Sequence, residues 1–380
     1  MKIVYISSPH FADCDFPLIR AFQQLGHEVY YFMSLAPYSK KSTIINIEKL
    51  IDKDDIIPAS NYKELQPYKR FFDFKNFNII NQTSGKQSSP SSQRLYRNLF
   101  KAIKKIKPDK VISTGLLEIS TVPLILLRSK LTFIVHDPFP HSGETSFRKT
   151  FFRRLSFLVG KQFVLFNKNQ LDDFCKSYHI KKEQIIINRL GTYDAMNTFI
   201  DKEKISEEPS KNILFFGRIS PYKGIEYLCE AMKKVHEEVP DATLTIAGGG
   251  KMYFDYAPYK DLDYIHLMNR YIPTEELANL LQRCDFSVCP YTDATQSGVI
   301  MTSFTMNKPV IASNVGGLGE MIEDGKTGIL VPPKDIDALA NALISLLKDE
   351  NRLKQMSETI ATTYHSGDWD WNNIARKYLK

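Results

Sequence analysis

Residues 291–333 read YTDATQSGVIMTSFTMNKPVIASNVGGLGEMIEDGKTGILVPP. The apolar run from Asp285 to Cys289 leads into them and predicts a buried strand, closed by Pro290. Thr295-Gln296-Ser297-Gly298 then places small polar residues and a glycine where a helix starts. Lys308 to Ala312 predicts the next strand, opened by Pro309, which needs no ladder donor there. Gly316-Gly317-Leu318-Gly319-Glu320 is a turn into a further helix. Repetition of strand, glycine-bearing turn and helix predicts an α/β layer. Such a layer makes anion pockets, because helix N-termini aim unpaired backbone N–H groups at whatever sits beyond them.

The same unit recurs upstream. Asn212 to Phe216 predicts a strand, followed by Gly217-Arg218-Ile219-Ser220-Pro221-Tyr222-Lys223-Gly224 and a helix from Ile225 to Glu238. Arg218 and Lys223, two cations beside a helix N-terminus, match an anion of two phosphates. Thr243 to Ala247 predicts a strand ending in Gly248-Gly249-Gly250. Tyr264 to Met268 predicts another, followed by Asn269-Arg270-Tyr271-Ile272-Pro273. Helices are predicted over Ile336 to Leu347, Asn351 to Thr362 and Asn372 to Lys380, the last preceded by Trp369 and Trp371 as anchors.

The first half opens in the same way. Residues 2–7 predict a strand, Phe16 to Leu25 a helix stopped by Gly26, and His27 to Met33 a second strand. His10 sits in the first loop, where a surface histidine is the plainer reading. Residues 39–93 are polar and weakly periodic, and predict a loop-rich insertion. A basic helix over Gln93 to Lys107 leads to a strand over Lys110 to Ser113. A helix near Glu118 to Arg128 leads to a strand over Leu131 to Val135, then His136-Asp137-Pro138. A histidine just past the end of a parallel strand lies where open α/β sheets bind ligands. A histidine satisfied by its own loop backbone is the alternative for His136, and His141 is a weaker candidate. Residues 146–168 interleave Arg148, Lys149, Arg153 and Arg154 with Phe147, Phe151, Phe152, Leu155, Phe157 and Leu158. A helix packed on the sheet and a surface that touches anionic lipid are both compatible with that pattern. Asp201 to Lys211 is charged, carries Pro209 and predicts a linker.

The chain of 380 residues suffices for two domains with separate cores. No run approaches the ~20 apolar residues of a membrane helix, and Met1 to Ile6 reads as a strand rather than a signal peptide. Five cysteines without a CxxC pair predict buried reduced thiols in a cytosolic protein; Cys284 and Cys289 read as core packing. Residues 1–200 hold 30 Lys+Arg against 17 Asp+Glu, a balance of +13; the remainder balances at −6. A basic half beside an acidic half suggests a division of labour. The absence of GxGxxG argues against a nicotinamide or flavin enzyme, and no nucleic-acid motif accompanies the basic stretches. DxD pairs include Asp13/Asp15, Asp261/Asp263, Asp335/Asp337 and Asp368/Asp370. None is predicted at a strand end, so no metal is expected.

Residues 291–333, together with Gly217 to Gly224, resemble the family 4 retaining glycosyltransferases of the GT-B fold. In that family two glutamates eight positions apart precede the Pro-Val-Ile strand; those slots fall here on Ala294 and Thr302. The resemblance implies an α/β protein of two Rossmann-like, doubly wound domains facing a central cleft, with a C-terminal helix crossing back. The acceptor domain would be 1–200, the linker 201–211, the nucleotide-sugar domain 212–366 and the crossing helix 367–380. It implies that Gly217, Arg218 and Lys223 hold the donor diphosphate with the helix start at Ser297-Gly298-Val299. Arg270, Tyr271 and Ile272 would line the base pocket, and Thr302 with Thr295 or Gln296 would serve the ribose. His136 would lie near the transferred sugar and His10 near the acceptor. The implied activity is metal-independent, cofactor-free hexosyl transfer from a nucleotide-diphosphate sugar, in bacterial surface-polysaccharide synthesis. The acceptor would be a saccharide or a lipid-linked saccharide. The expected location is the cytoplasm or the inner membrane face, with an anionic membrane surface as a candidate partner. Two rivals remain open: a catalytically inactive GT-B partner subunit, which the missing glutamates favour, and a GT-B epimerase or hydrolase.

Overall fold

The structure, a computed structural model, describes residues 1–139, 147–200 and 210–379. His141 and all but the end of the expected linker lie outside them. The chain divides into two compact units, Met1–Leu190 with Asp370–Lys380, and Gly191–Trp369. The division falls ahead of the expected boundary at residue 200, because the turn Asp194–Phe199 packs on two helices of the second unit.

The first unit holds strands β1 (Lys2–Ser7), β2 (Glu28–Leu35), β3 (Asp55–Pro58), β4 (Phe77–Asn81), β5 (Lys110–Thr114), β6 (Leu131–Val135), β7 (Gln162–Leu165) and β8 (Ile185–Ile187). They form one sheet in the order β3-β4-β2-β1-β5-β6-β7-β8. All neighbours are parallel except β3 and β4. β5 and β6 are buried along their whole length. A parallel sheet is covered on both faces, so its central strands are continuously apolar rather than alternating. The helices are α1 (Ala12–Gln24), α2 (Pro90–Ile106), α3 (Phe147–Val159) and α4 (Leu171–Tyr178).

The polar stretch 39–93 is more structured than its composition suggests. It supplies β3, β4 and two short 3-10 turns, and buries Ile44, Ile45, Ile47, Tyr62, Leu65 and Tyr68. Runs of four or five residues between polar segments carry too little periodicity to be read as strands.

The second unit holds β9 (Asn212–Phe216), β10 (Thr243–Ala247), β11 (Ile265–Met268), β12 (Phe286–Cys289), β13 (Val310–Ser313) and β14 (Gly328–Val331). Its order is β11-β10-β9-β12-β13-β14, parallel throughout. Its helices are α5 (Ile225–Glu238), α6 (Thr274–Arg283), α7 (Gly298–Thr305), α8 (Leu318–Met321), α9 (Ile336–Leu347) and α10 (Glu350–Thr363). This is the doubly wound order, whose direction of travel reverses between β9 and β12. In the first sheet the reversal lies between β1 and β5. Ligands of open α/β sheets bind past the strand ends at that reversal.

The last helix, α11 (Trp371–Tyr378), returns to the first unit and packs on α1. Asn188 Nδ2 donates to Ile374 O at 3.1 Å, and Lys110 Nζ donates to Tyr378 O. The two tryptophans divide. Trp371 starts α11 and is buried, whereas Trp369 packs on Tyr364 in the second unit, with ring centroids 4.6 Å apart.

Candidate functional site

The reversal between β9 and β12 brings two loops together. The first follows β9 and carries Gly217 (φ 123°) and Gly224 (φ 64°). Both φ values lie where a side chain is strained. The second follows β12 and begins at Pro290. A Cβ on Gly224 would stand 2.0 Å from Pro290 O, and Thr292 N donates to Tyr222 O at 2.8 Å. Gly217 N donates to Ala247 O at 3.0 Å, which ties in the end of β10. Three strand ends therefore meet here.

Lys223 lies between these loops. It is 9% exposed, and its Nζ stands 3.7 Å from the Tyr291 ring centroid and 5.1 Å from that of Tyr222. Burial, aided by the nearby Arg218 guanidinium, pushes its pKa down to about 8. Among the described residues no carboxylate pairs with it. Aromatic faces stabilise an ammonium by about 0.5–2 kcal/mol, less than its burial costs. Arg218 is exposed on the same loop. The loop thus carries two cations, one buried and one exposed.

Two helix starts adjoin the loops, and they differ. At α5, the Ile225 amide donates to Tyr253 Oη at 2.9 Å, and that hydroxyl donates on to Glu226. At α7, the N-cap residue Ser297 makes no side-chain hydrogen bond to the first turn. Ser297 is buried and its amide contacts Met321 Sδ at 3.4 Å. Gly298 is held against Tyr193, whose ring would lie 2.9 Å from an added Cβ. The first turn of α7 begins at Gly298 and Val299. Thr295 and Gln296 are half-buried just ahead of them.

The two positions that the resemblance matches to a glutamate pair, Ala294 and Thr302, are interior. Ala294 is 8% exposed, and its carbonyl would stand 1.6 Å from a Cβ on Gly316, whose φ is 51°. Thr302 is 1% exposed, and its hydroxyl donates to Gly298 O at 2.8 Å, one turn back in α7. The ribose role expected of Thr302 is therefore not met by a hydroxyl presented at the surface; its donor is used within the helix.

The segment after β11 stands beside the glycine turn after β10. A Cβ on Gly249 would lie 3.2 Å from the Arg270 carbonyl carbon. Arg270 pairs through both terminal nitrogens with Glu276, one contact at 2.8 Å. Tyr271 is half-buried and its phenol is pushed up by burial, and Ile272 is buried. Arg270 thus offers backbone here, while its charge is held by Glu276.

The two histidines belong to the first unit. His136 follows β6, stacks on Phe11 (centroids 4.5 Å, 19° apart in plane) and packs on Phe166 at 5.1 Å. Burial pushes its pKa down to about 4, so the imidazole is neutral at ordinary pH. His10 is exposed on the loop after β1. The DxD at Asp13/Asp15 falls in the first turn of α1. Asp15 Oδ1 accepts from Tyr5 Oη at 2.5 Å and Thr114 Oγ1 at 3.2 Å. Asp335 and Asp370 cap α9 and α11. Among the described residues no three His, Cys, Asp or Glu side chains gather as a metal-ligand set. All five cysteines are free thiols, Cys284 and Cys289 buried in the core.

Tyr193, Tyr222, Tyr253 and Tyr291 shape this site, and none was singled out as a functional residue from the sequence. They meet it from four separate segments, and no spacing rule links them.

Residues 210–349 match the family described as Glycosyl transferases group 1. An uncharacterized glycosyltransferase of Methanocaldococcus jannaschii is 30% identical over 50% of this chain and 50% of its own length. The glycogen synthase of Mycobacterium tuberculosis is 32% identical over 43% of this chain and 40% of its own. The chain thus spans about half the length of the curated relatives it matches, or less. Among solved structures, HepE of Anabaena in complex with UDP and glucose superposes at TM-score 0.68, with 14% identity, over 100% of this chain and 98% of that one. The sucrose-phosphate synthase of Thermosynechococcus elongatus superposes at 0.64, with 19% identity, over 100% and 97%. The fold is GT-B, with two Rossmann-like units and a C-terminal helix that returns to the first.

Proposed function

We propose that this protein is a retaining glycosyltransferase that moves a hexosyl group from a nucleotide-diphosphate sugar to a saccharide acceptor. The observation that carries the reading is Lys223: an ammonium buried between two tyrosines, beside Arg218, with no carboxylate among the described residues to answer it. The group 1 match over the same unit supports it, as do the UDP complexes of similar folds.

In this reading the bond from the anomeric carbon to the phosphate oxygen breaks, and negative charge builds on the leaving diphosphate. Arg218, Lys223 and the first amides of α7 stabilise that charge. A bond forms from the anomeric carbon to the acceptor oxygen, and the acceptor's proton passes to the departing phosphate. No protein base is needed, so Ala294 and Thr302 are compatible with turnover. Neutral His136 serves the first unit's ligand as a hydrogen-bonding group, not as a charge. Side chains and a helix end do the neutralising, so transfer needs no metal. The basic balance of residues 1–200 fits an acceptor carried on lipid, as in surface-polysaccharide synthesis.

The test is nucleoside diphosphate release by purified protein offered a panel of nucleotide sugars, with and without chelator. Release in chelator is expected, and Arg218→Ala should lower it ~100-fold or more. Wild-type release by Arg218→Ala would overturn the donor-site assignment. Donor binding without any turnover would instead assign the protein as a non-catalytic partner.

A further inference from the structure

Among the described residues six large apolar side chains stand exposed, and three of them lie on α3: Phe147 at 91%, Phe151 at 53% and Leu158 at 81%. At 100° per residue, positions 147, 151 and 158 fall in one narrow stripe, with Arg154 along its edge. Arg148 and Arg154 are exposed. The opposite side of the helix is fully used. Ser156 Oγ accepts from Leu117 N at 2.8 Å, and Phe157 packs edge-on against Phe163 and Phe174. Leu126, 72% exposed, lies on the turn Val122–Lys130 that follows Leu117.

The four basic residues of this stretch are not equivalent. Arg153 Nη1 donates to Asp137 O at 2.8 Å and Pro138 O at 3.0 Å, so it holds the chain after β6 and is not a free surface charge. Arg148 lies within electrostatic reach of Glu118. Arg154 stands among the apolar tips, with no acidic residue anywhere on α3.

We propose that the Phe147–Phe151–Leu158 stripe of α3 inserts into the surface of an anionic phospholipid bilayer, with Arg154 and Arg148 among the headgroups. Three observations select this occupant over a second protein. The apolar tips are separated by a charge, which a bilayer interface accommodates and a desolvated protein interface penalises. The charge on the stripe is of one sign. The surrounding residues 1–200 balance at +13, complementary to an anionic leaflet. The surface gives the lipid-carried acceptor proposed above a place to be met, but it stands on its own geometry.

The experiment is co-sedimentation of the whole protein with vesicles of mixed phosphatidylcholine and phosphatidylglycerol, against vesicles of phosphatidylcholine alone. The wild type should pellet with the anionic vesicles, release in high salt and ignore the neutral ones. The triple variant Phe147→Ser, Phe151→Ser, Leu158→Ser should lose about tenfold or more in binding, with an unchanged circular dichroism spectrum. In a Phe147→Trp variant, bromine-labelled acyl chains should quench additional fluorescence that the wild type lacks. The proposal is overturned if wild type stays in the supernatant at low salt, or if the triple variant pellets equally. It is also overturned if the lipid-free wild type is a dimer that the triple variant converts to monomer. Because the readout is lipid binding and not transfer, a failure here leaves the donor reading untouched.

Discussion

Lys223 sets up two opposite pH dependences. Its pKa falls from 10.5 to about 8 on folding, chiefly through burial. Between those values the unfolded chain holds more protons than the folded one, so the second unit gains stability as pH rises from 8 toward 10.5. Donor binding needs the charged form and should weaken over the same rise. Lys223→Met removes the buried charge and keeps the bulk. It is expected to raise the second unit's melting temperature at pH 7 and to weaken nucleoside diphosphate binding about tenfold or more. Thermal melts with and without nucleoside diphosphate at neutral and alkaline pH check both; a lower melting temperature in the variant would show that Lys223 is structurally compensated. Thr302 makes a sharper case. Its hydroxyl is turned into α7 toward Gly298 O. Thr302→Glu would bury a carboxylate at a position that is 1% exposed. It should therefore lower the melting temperature, by about 5 °C or more for a domain of this size, without tightening the donor. Calorimetry showing tighter donor binding would contradict this.

The β9–α5 and β12–α7 loops act as one element because backbone meets backbone at Gly224. Gly224→Ala combines a left-handed φ with a Cβ 2.0 Å from Pro290 O, a contact with no flexible side chain to yield. The loops should part, and nucleoside diphosphate affinity should fall while the far-ultraviolet circular dichroism stays the same; retained affinity would mean that the loops adjust independently. These elements were legible in the sequence because apolar runs end in glycine and proline at fixed offsets, and a doubly wound sheet needs that punctuation. Helix α9 falls on the residues read for it, Ile336 to Leu347. β3 and β4 were missed because DIIP and FNIIN are too short to show a period. The depth of Thr302 and the pairing of Arg270 with Glu276 were missed for another reason. Motif spacing places a residue on a helix or loop but does not say toward which neighbour its side chain turns. Tyr193, Tyr222, Tyr253 and Tyr291 were invisible for the same reason.

The first unit is assembled from both ends of the chain. Ile374, Ala375 and Tyr378 are at most 1% exposed, and Tyr378 sits edge-on to Phe22 of α1 at 6.0 Å. A variant ending at Trp369 would strip that cover from α1 and remove one hydrogen-bond acceptor each from Asn188 and Lys110. Calorimetry should show the first unit's transition lowered or lost and the second unit's retained, since Gly191–Trp369 keeps its whole sheet. Two unaltered transitions would mean that α11 is dispensable to the fold.

The return of α11 also has a consequence in time. The ribosome delivers the eight strands of the first sheet, then all of the second unit, and only afterwards the helix that covers α1. The first unit must wait, with an apolar flank bare, while its successor is synthesised and folds. Emergence of Asp370–Lys380, not of residue 190, completes it. Stalling anywhere in between leaves a nascent body exposed to chaperones and to aggregation.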